Sequence, residues 1–374
     1  MKIAIVHDYL VADGGAEKCL RAFMEIFPEA PIFTLFYYRE RFRDLEGRNI
    51  QASFLDKIPF LKKKHHLFLP LYAPAIESLR LEGYDIILTS SWAWSKGIKK
   101  SRNTCHICYC YTPMRFAHYQ HMREIRLADR NTVLRRIAER MVERLKAWDL
   151  KTPDTVDYFI STCENVRRRI KKIYGRDSAV IHPPVETDIF MPAGNSSKGT
   201  YFLIVSRLVP YKRVDIAVKA FNNLKLPLKV VGTGSEYNCL RRIAGPNIEF
   251  LDYVGQERLA ELYRNCTALI FPQEEDWGIA ALEAQACGRP VIAYCKGGAL
   301  EYVIGSKTGH FFHDQSVKAM MDAVKEFQKM EFDPQAIRQN TAKYDKKAFK
   351  ERIAAFVNEK YAEFKETKED LVQR

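Results

Sequence analysis

The sequence predicts an α/β protein built from two Rossmann-like halves, and three observations carry that expectation. Short apolar runs alternate with helical stretches along the chain, the pattern of βα units around a parallel sheet. The 374 residues exceed the roughly 250–300 at which one core stops growing. Past residue 182 the rhythm breaks at Pro183-Pro184, and Pro192-Ala193-Gly194-Asn195-Ser196-Ser197-Lys198-Gly199 has the composition of a linker. The expected organisation is one domain over 1–190, a second over 198–345, and a charged helical tail over 346–374 returning to the first.

In chain order, residues 2–7 form an apolar first strand, followed by Gly14-Gly15 and a helix with apolar Leu20, Phe23, Met24 and Phe27. Residues 84–90, 106–111, 156–161 and 179–182 are the further strands of this half. Beyond the linker, strands are expected at 201–206, 228–232, 248–251, 268–272 and 291–294, with helices at 214–222 and 279–287. No fixed-period repeat or low-complexity tract interrupts the pattern.

Composition narrows the function classes. With 47% hydrophobic and 28% charged residues, the chain suits a globular protein and excludes extended disorder. No charge-free apolar run approaches the roughly 18 residues of a spanning helix. The start, Met1-Lys2-Ile3-Ala4-Ile5-Val6-His7-Asp8, reads as a buried strand and not as a signal peptide, so a cytoplasmic location with reduced thiols is expected. The net charge of +13 points to anionic partners, and residues 1–190 hold most of it, with 32 basic against 23 acidic side chains. Cys105-His106-Ile107-Cys108-Tyr109-Cys110 contains a C-x-x-C, but in a strand Cys105 faces away from Cys108 and Cys110, so no metal site is expected there.

Leu134, Ile137, Met141, Leu145 and Trp148 recur at helical spacing among Arg130, Arg135, Arg136, Arg140 and Arg144. Either this is an ordinary surface helix docked on its own sheet, or a basic face resting on anionic lipid headgroups. Lys62-Lys63-Lys64 beside Leu67-Phe68-Leu69-Pro70-Leu71-Tyr72 favours the second reading, with the protein peripheral on the inner face of the membrane.

Three segments carry the chemistry. Asp13-Gly14-Gly15-Ala16-Glu17, between first strand and helix, lets backbone amides approach a phosphate. Arg207 and Lys212 follow a strand in the second half, where α/β sheets bind ligands; a planar fork and a point charge suit a diphosphate. Glu275 and Glu283 bracket Gly278 at a strand-to-helix transition, and carboxylates of this kind accept hydrogen bonds from sugar or ribose hydroxyls.

Those residues resemble a known family. Glu275 and Glu283 are similar to the E-x7-E element of retaining glycosyltransferases of the GT-B fold, glycosyltransferase family 4. Ala286-Cys287-Gly288-Arg289-Pro290-Val291-Ile292-Ala293, Gly297-Gly298-Ala299-Leu300-Glu301, Arg207, Lys212 and Gly14-Gly15 match as well. Tyr84-Asp85-Ile86-Ile87, Tyr109-Cys110-Tyr111-Thr112-Pro113-Met114-Arg115-Phe116 and Val180-Ile181-His182-Pro183-Pro184-Val185-Glu186-Thr187-Asp188 resemble the mannosyltransferase-like subgroup that assembles O-antigen and exopolysaccharide units.

The resemblance implies two Rossmann-like domains facing across a cleft, an acceptor-binding first half and a nucleotide-sugar-binding second half. Arg207 and Lys212 would hold the diphosphate, helped by Gly14 and Gly15, while Glu283 would bind the ribose and Glu275 the transferred sugar. Backbone groups of Trp277, Gly278, Ile279 and Ala280 would line the sugar and phosphate, with Gly232, Tyr253 and Val254 around the base. Tyr111 stands where histidine is common beside the donor sugar, with His118 as a neighbour that could take over, and Asp252 stands where glycine is common. No D-x-D motif occurs, so a metal-independent transfer with retention is implied, the departing phosphate accepting the acceptor's proton and Asp8 a candidate for orienting the acceptor. GDP-mannose is the implied donor and a polyprenyl-diphosphate-linked glycan the implied acceptor. A UDP-sugar donor is the first alternative, a GT-B nucleotide-sugar epimerase the second, and a nucleic-acid-binding protein the third.

Overall fold

The computed structural model describes residues 1–58, 69–119, 132–192 and 199–372. Lys62–Lys64, Leu67, Phe68, Arg130 and 193–198 of the expected linker lie outside them. By contacts the chain divides into two units, Met1–His182 with Phe349–Arg374, and Pro183–Ala348. The division falls at 182/183, where the prolines begin.

The first unit holds seven strands: β1 (Ile3–His7), β2 (Ile32–Thr34), β3 (Ile50–Ala52), β4 (Ile86–Ser91), β5 (Cys105–Cys110), β6 (Tyr158–Ser161) and β7 (Ser178–Val180). They pair in the order β3-β2-β1-β4-β5-β6-β7, all parallel. Strands buried on both faces read as continuous apolar runs, and β1, β4 and β5 are buried throughout. Alternation puts Ile3, Ile5, Leu88, Ile107 and Tyr109 on one face and Ala4, Val6 and Ile87 on the other, each with its own core.

Helix α1 (Gly15–Ile26) closes the first face with Leu20, Phe23 and Met24 turned inward. The three-residue strands β2 and β3 lack the length for a periodic signal and were not expected from sequence. Helix α2 (Thr132–Asp149) buries Ala138, Leu145 and Asp149 and leaves Ile137 59% exposed. The inward stripe therefore runs through 138, 145 and 149, and Ile137, one position off it, points to solvent. Helix α3 (Glu164–Tyr174) ends on Gly175, whose φ of +68° is the left-handed stop that glycine favours.

The second unit holds β8 (Tyr201–Val205), β9 (Leu228–Val231), β10 (Ile248–Leu251), β11 (Cys266–Phe271), β12 (Val291–Tyr294) and β13 (Gly309–Phe312). Their order is β10-β9-β8-β11-β12-β13, again all parallel. Helices α4 (Val214–Leu224), α5 (Gln256–Asn265), α6 (Ile279–Ala286) and α7 (Val317–Phe327) accompany this sheet. The final helix, α8 (Lys346–Val372), places Phe349, Ile353, Val357 and Phe364 in the core of the first unit. Among the described residues no helix is long and apolar enough to cross a membrane.

Candidate functional site

In open parallel sheets ligands sit beyond the carboxyl ends of the strands where the strand order reverses. The two sheets reverse between β1 and β4 and between β8 and β11. The three segments read as carrying the chemistry begin at these two points: Asp13–Glu17 follows β1, Arg207–Lys212 follows β8, and Glu275–Glu283 follows β11.

In the second unit, β8 delivers Arg207, which is exposed and donates from Nη2 to the Tyr211 hydroxyl at 3.0 Å. A short turn at Pro210–Lys212 then leads into α4. Lys212 Nζ forms an ion pair with Glu275 Oε1, so the diphosphate-binding cation and the sugar-binding carboxylate of the sequence reading are partners here. The side chains are 14% and 17% exposed, and a charge pair this shielded is held by mutual attraction that water weakens little.

Beyond β11 the chain enters α6 through Gly278, at φ +99°. A Cβ there would meet Phe271 Cζ and the Tyr302 hydroxyl at 2.6 Å, so only glycine fits. The turn opens α6 at Ile279 and Ala280, while the Trp277 ring packs against Tyr302 at 5.3 Å and Tyr344 at 5.1 Å. Trp277 thus contributes backbone to this edge and side chain to the core. Gly297 and Gly298 approach from the side; a Cβ on either would lie 2.3 Å from the Glu275 or Asp276 carbonyl oxygen. Glu283 lies on α6, 4% exposed, and accepts a hydrogen bond from the Tyr263 hydroxyl of α5 at 3.0 Å. That partner answers how an acid rests among alanines. Burial first, then the Glu283 charge, pushes the Tyr263 hydroxyl well above its usual value, so it remains a donor.

Gly232, at φ +129°, would put a Cβ 2.0 Å from the Ser206 carbonyl oxygen, which packs its turn directly on the Arg207 segment. Tyr253 is 80% exposed and Val254 half-buried. Asp252, next to them, is exposed. Arg207, Lys212, Gly232, Glu275, Gly278, Ile279 and Ala280 therefore gather at one end of this sheet, with Glu283 set deeper.

In the first unit, Gly14 and Gly15 are exposed at the mouth of α1. Arg21 fixes the preceding loop by a fork onto both Asp13 oxygens, at 2.8 and 3.0 Å, and onto Asp44 at 2.6 Å. Tyr111, just past β5, is half-buried; its hydroxyl lies 2.9 Å from Ser90 Oγ and donates to the Ala16 carbonyl at 3.1 Å.

Two expectations are corrected. Asp8 does not face an acceptor: its carboxylate is buried and accepts the backbone N–H groups of Trp92, Ala93, Trp94 and Ser95 at 2.6–3.1 Å. With both oxygens committed, it holds a turn. His118 is likewise engaged, its Nε2 2.7 Å from Asp149 Oδ2. Asp149 also pairs with Lys96 Nζ at 2.7 Å and accepts from the Tyr174 hydroxyl at 2.7 Å. Lys96 and Asp149 are fully buried. Burial, the largest single influence, would lower the ammonium and raise the carboxyl. Their mutual attraction, together with the surrounding charges and the hydrogen bonds that His118 and Tyr174 make to Asp149, outweighs it, and both groups are held charged.

Sequence reasoning passed over His7, Glu17 and Ser90. His7 Nδ1 is 2.9 Å from Ser90 Oγ, and its Nε2 is 3.4 Å from Glu17 Oε1. The available signal was polar residues closing otherwise apolar strands at the switch point.

Comparison with known proteins places these features. Residues 186–350 match the family described as Glycosyl transferases group 1. An uncharacterized glycosyltransferase of Methanocaldococcus jannaschii is 26% identical over 212 residues, 55% of this chain. A D-inositol 3-phosphate glycosyltransferase of Mycobacteroides abscessus is 29% identical over 197 residues, 46% of this chain. The chain spans about half the length of these relatives, 60% of the first and 44% of the second. Over 96% of the chain, and all of the other, the fold is similar to Anabaena Alr3699/HepE in complex with UDP, with a TM-score of 0.71 at 15% identity. Sucrose-phosphate synthase from Thermosynechococcus elongatus is similar over 97% of the chain and all of its own, with a TM-score of 0.73 at 16% identity. The fold is that of the GT-B glycosyltransferases, and residues 186–350 are similar to the glycosyl transferases group 1 family.

Proposed function

We propose that the chain is a retaining, metal-independent glycosyltransferase that moves a hexose from a nucleotide-sugar onto a glycan. The observation that carries this is the Lys212–Glu275 pair beside Arg207 and the Gly278 turn, at the switch point of the second sheet. Arg207 and Lys212 neutralise the departing diphosphate, and the amides opening α6 add the partial positive charge of a helix N-terminus. When the diphosphate takes Lys212, Glu275 is released to accept hydrogen bonds from the transferred sugar. Glu283 receives the ribose, and the Gly232 turn with Tyr253 and Val254 borders the base.

GDP-mannose is the donor that the subgroup resemblance supports. A UDP-sugar is the second reading, supported by the solved complexes of HepE with UDP and with UDP-glucose. The acceptor is a glycan on a polyprenyl diphosphate, made for bacterial surface polysaccharide. Exposed Arg135, Arg136, Arg140, Arg144 and Ile137 on α2 support its presentation at an anionic membrane surface, with the protein peripheral on the cytoplasmic side.

Thermal unfolding of the full chain with GDP, UDP, GDP-mannose and UDP-glucose tests the donor, because a ligand at 100 times its Kd stabilises by about 2.7 kcal/mol. Arg207→Ala and Glu275→Gln should remove most transfer, roughly 10²–10³-fold in kcat. No shift with any of these nucleotides, or full transfer in either variant, refutes the proposal.

A further inference from the structure

Within the second unit, the carboxyl ends of β8, β9 and β10 are locked together by backbone. The Ser206 N–H donates to the Val231 carbonyl at 3.0 Å, and a Cβ on Gly232 would lie 2.0 Å from the Ser206 carbonyl oxygen. The Gly232 N–H in turn donates to the Leu251 and Asp252 carbonyls at 3.1 and 3.2 Å. The strand order β10-β9-β8 therefore fixes the Asp252 backbone two strands away from the Arg207 segment, roughly 10 Å at the spacing of paired strands. That separation matches an extended nucleoside diphosphate, whose base lies a ribose and a phosphate away from its terminal phosphate.

The turn at this distance presents two unlike side chains. Tyr253 is 80% exposed, although Ile248 and Phe250 of the strand before it pack on the core. Asp252 is exposed beside it. An exposed aromatic ring offers its face to a base, and stacking of that kind tolerates every base. A carboxylate carries acceptors only, so it separates bases by where their donors stand.

Guanine presents two adjacent donors on one edge, N1–H and the N2 amino group, and the two oxygens of a carboxylate accept them in parallel. Uracil presents a single N3–H between two carbonyl oxygens, so a carboxylate that takes that N–H meets oxygen lone pairs on either side. Adenine and cytosine each put a ring-nitrogen acceptor beside their amino group. Of the four, guanine alone fits both oxygens.

We propose that Asp252 reads the guanine edge of the donor nucleotide and so selects a GDP-sugar over a UDP-sugar. The inference rests on the proposed function and deepens it, on grounds independent of the subgroup resemblance. Tyr253 holds the base by its ring face, and Asp252 identifies it by N1–H and the N2 amino group. Asp252 is a specificity-determining residue and takes no part in the transfer, which occurs at the Arg207 and Lys212 end. Its charge is compatible with a diphosphate ligand, because repulsion across roughly 10 Å of exposed surface spans a full Debye length and is largely screened. The bonds to the base act at contact and escape that screening.

The test is isothermal titration calorimetry of the full chain with GDP, UDP and inosine diphosphate, which is GDP without its N2 amino group. The wild type should bind GDP roughly 10–100-fold more tightly than UDP, the discrimination of one bidentate pair. Inosine diphosphate keeps one of the two bonds and should bind about 10-fold more weakly than GDP. Asp252→Asn offers one acceptor and one donor, which suit uracil N3–H and O4 as well as guanine N1–H and O6. In that variant GDP, UDP and inosine diphosphate should bind within about threefold of one another. The melting temperature of the unliganded variant should match the wild type, since the side chain is exposed. Should the variant fail to fold, GDP against inosine diphosphate on the wild type decides alone. Wild-type UDP affinity equal to or above that for GDP overturns the reading. So does equal wild-type affinity for GDP and inosine diphosphate, or a GDP preference that survives Asp252→Asn. Each of these leaves the transferase proposal standing, because a nucleotide still binds. If none of the three binds the wild type, the proposed function fails and the reading of guanine with it.

Discussion

Replacing Asp8 by asparagine isolates the energetic weight of one buried carboxylate. Oδ1 accepts the N–H groups of Trp94 and Ser95 at 3.1 and 2.6 Å, and Oδ2 those of Trp92 and Ala93 at 3.1 and 2.8 Å. Asparagine carries one oxygen and one amide nitrogen, so whichever way it sits, two of these N–H groups face another donor. Each lost bond to a charged acceptor is worth about 1.5–3 kcal/mol, which puts the cost at roughly 3–6 kcal/mol. A domain has only about 5–15 kcal/mol in total, so the first unit should unfold at much lower urea. Trp92, Trp94 and Trp148 lie in this unit and Trp277 in the other, so tryptophan fluorescence in a Trp277→Phe background reports the first unit alone. The two units need not unfold together, and the first transition is the one to fit. A loss below about 1 kcal/mol would show that the carboxylate does not hold the 92–95 turn.

Lys96→Met should cost about 3–5 kcal/mol by leaving Asp149 charged and buried without its cation; Lys96→Met with Asp149→Asn should recover much of that in the same urea assay. Because Asp149 is held below its ordinary range, its contribution is complete above about pH 4 and is lost as pH falls through the lowered value, which acid titration of the first-unit transition should show. His106 gives a separate window. Burial lowers it from 6.5 to about 4, with Nδ1–H donating to the Thr155 carbonyl and Nε2 accepting from Thr89, so only the unfolded chain gains a proton between those values. Stability of the first unit should fall by on the order of 3 kcal/mol from pH 6.5 to 4, and His106→Gln should flatten that slope. Gly278→Ala should destabilise the second unit by about 1–3 kcal/mol, since its Cβ meets two rings at a positive φ, and calorimetry should place the loss in that unit's transition.

Much of the fold was legible because it is written in short range. Apolar runs such as Ile3-Ala4-Ile5-Val6 need no partner to be recognised, and Gly14-Gly15 and Gly278 mark strand-to-helix turns by conformation alone. Strands β2, β3 and β13 escaped, the first two being three residues long and paired toward the sheet edge, where periodicity has nothing to act on.

The site divides in the same way. Arg207, Lys212, Glu275 and Gly278 stand close to strand ends in the sequence itself, so residue type and spacing were enough to single them out. Which of them touch was decided only in three dimensions: sixty-three positions separate Lys212 from Glu275, and the sheet order makes them an ion pair. Asp8 and His118 looked available as side chains and are consumed by backbone amides and by Asp149. His7, Ser90 and Tyr111 are unremarkable one at a time, the first two 83 residues apart. Local sequence determines where strands end and which groups stand there. Tertiary structure alone determines which ends become neighbours, because parallel pairing across a switch point joins residues that the chain keeps far apart.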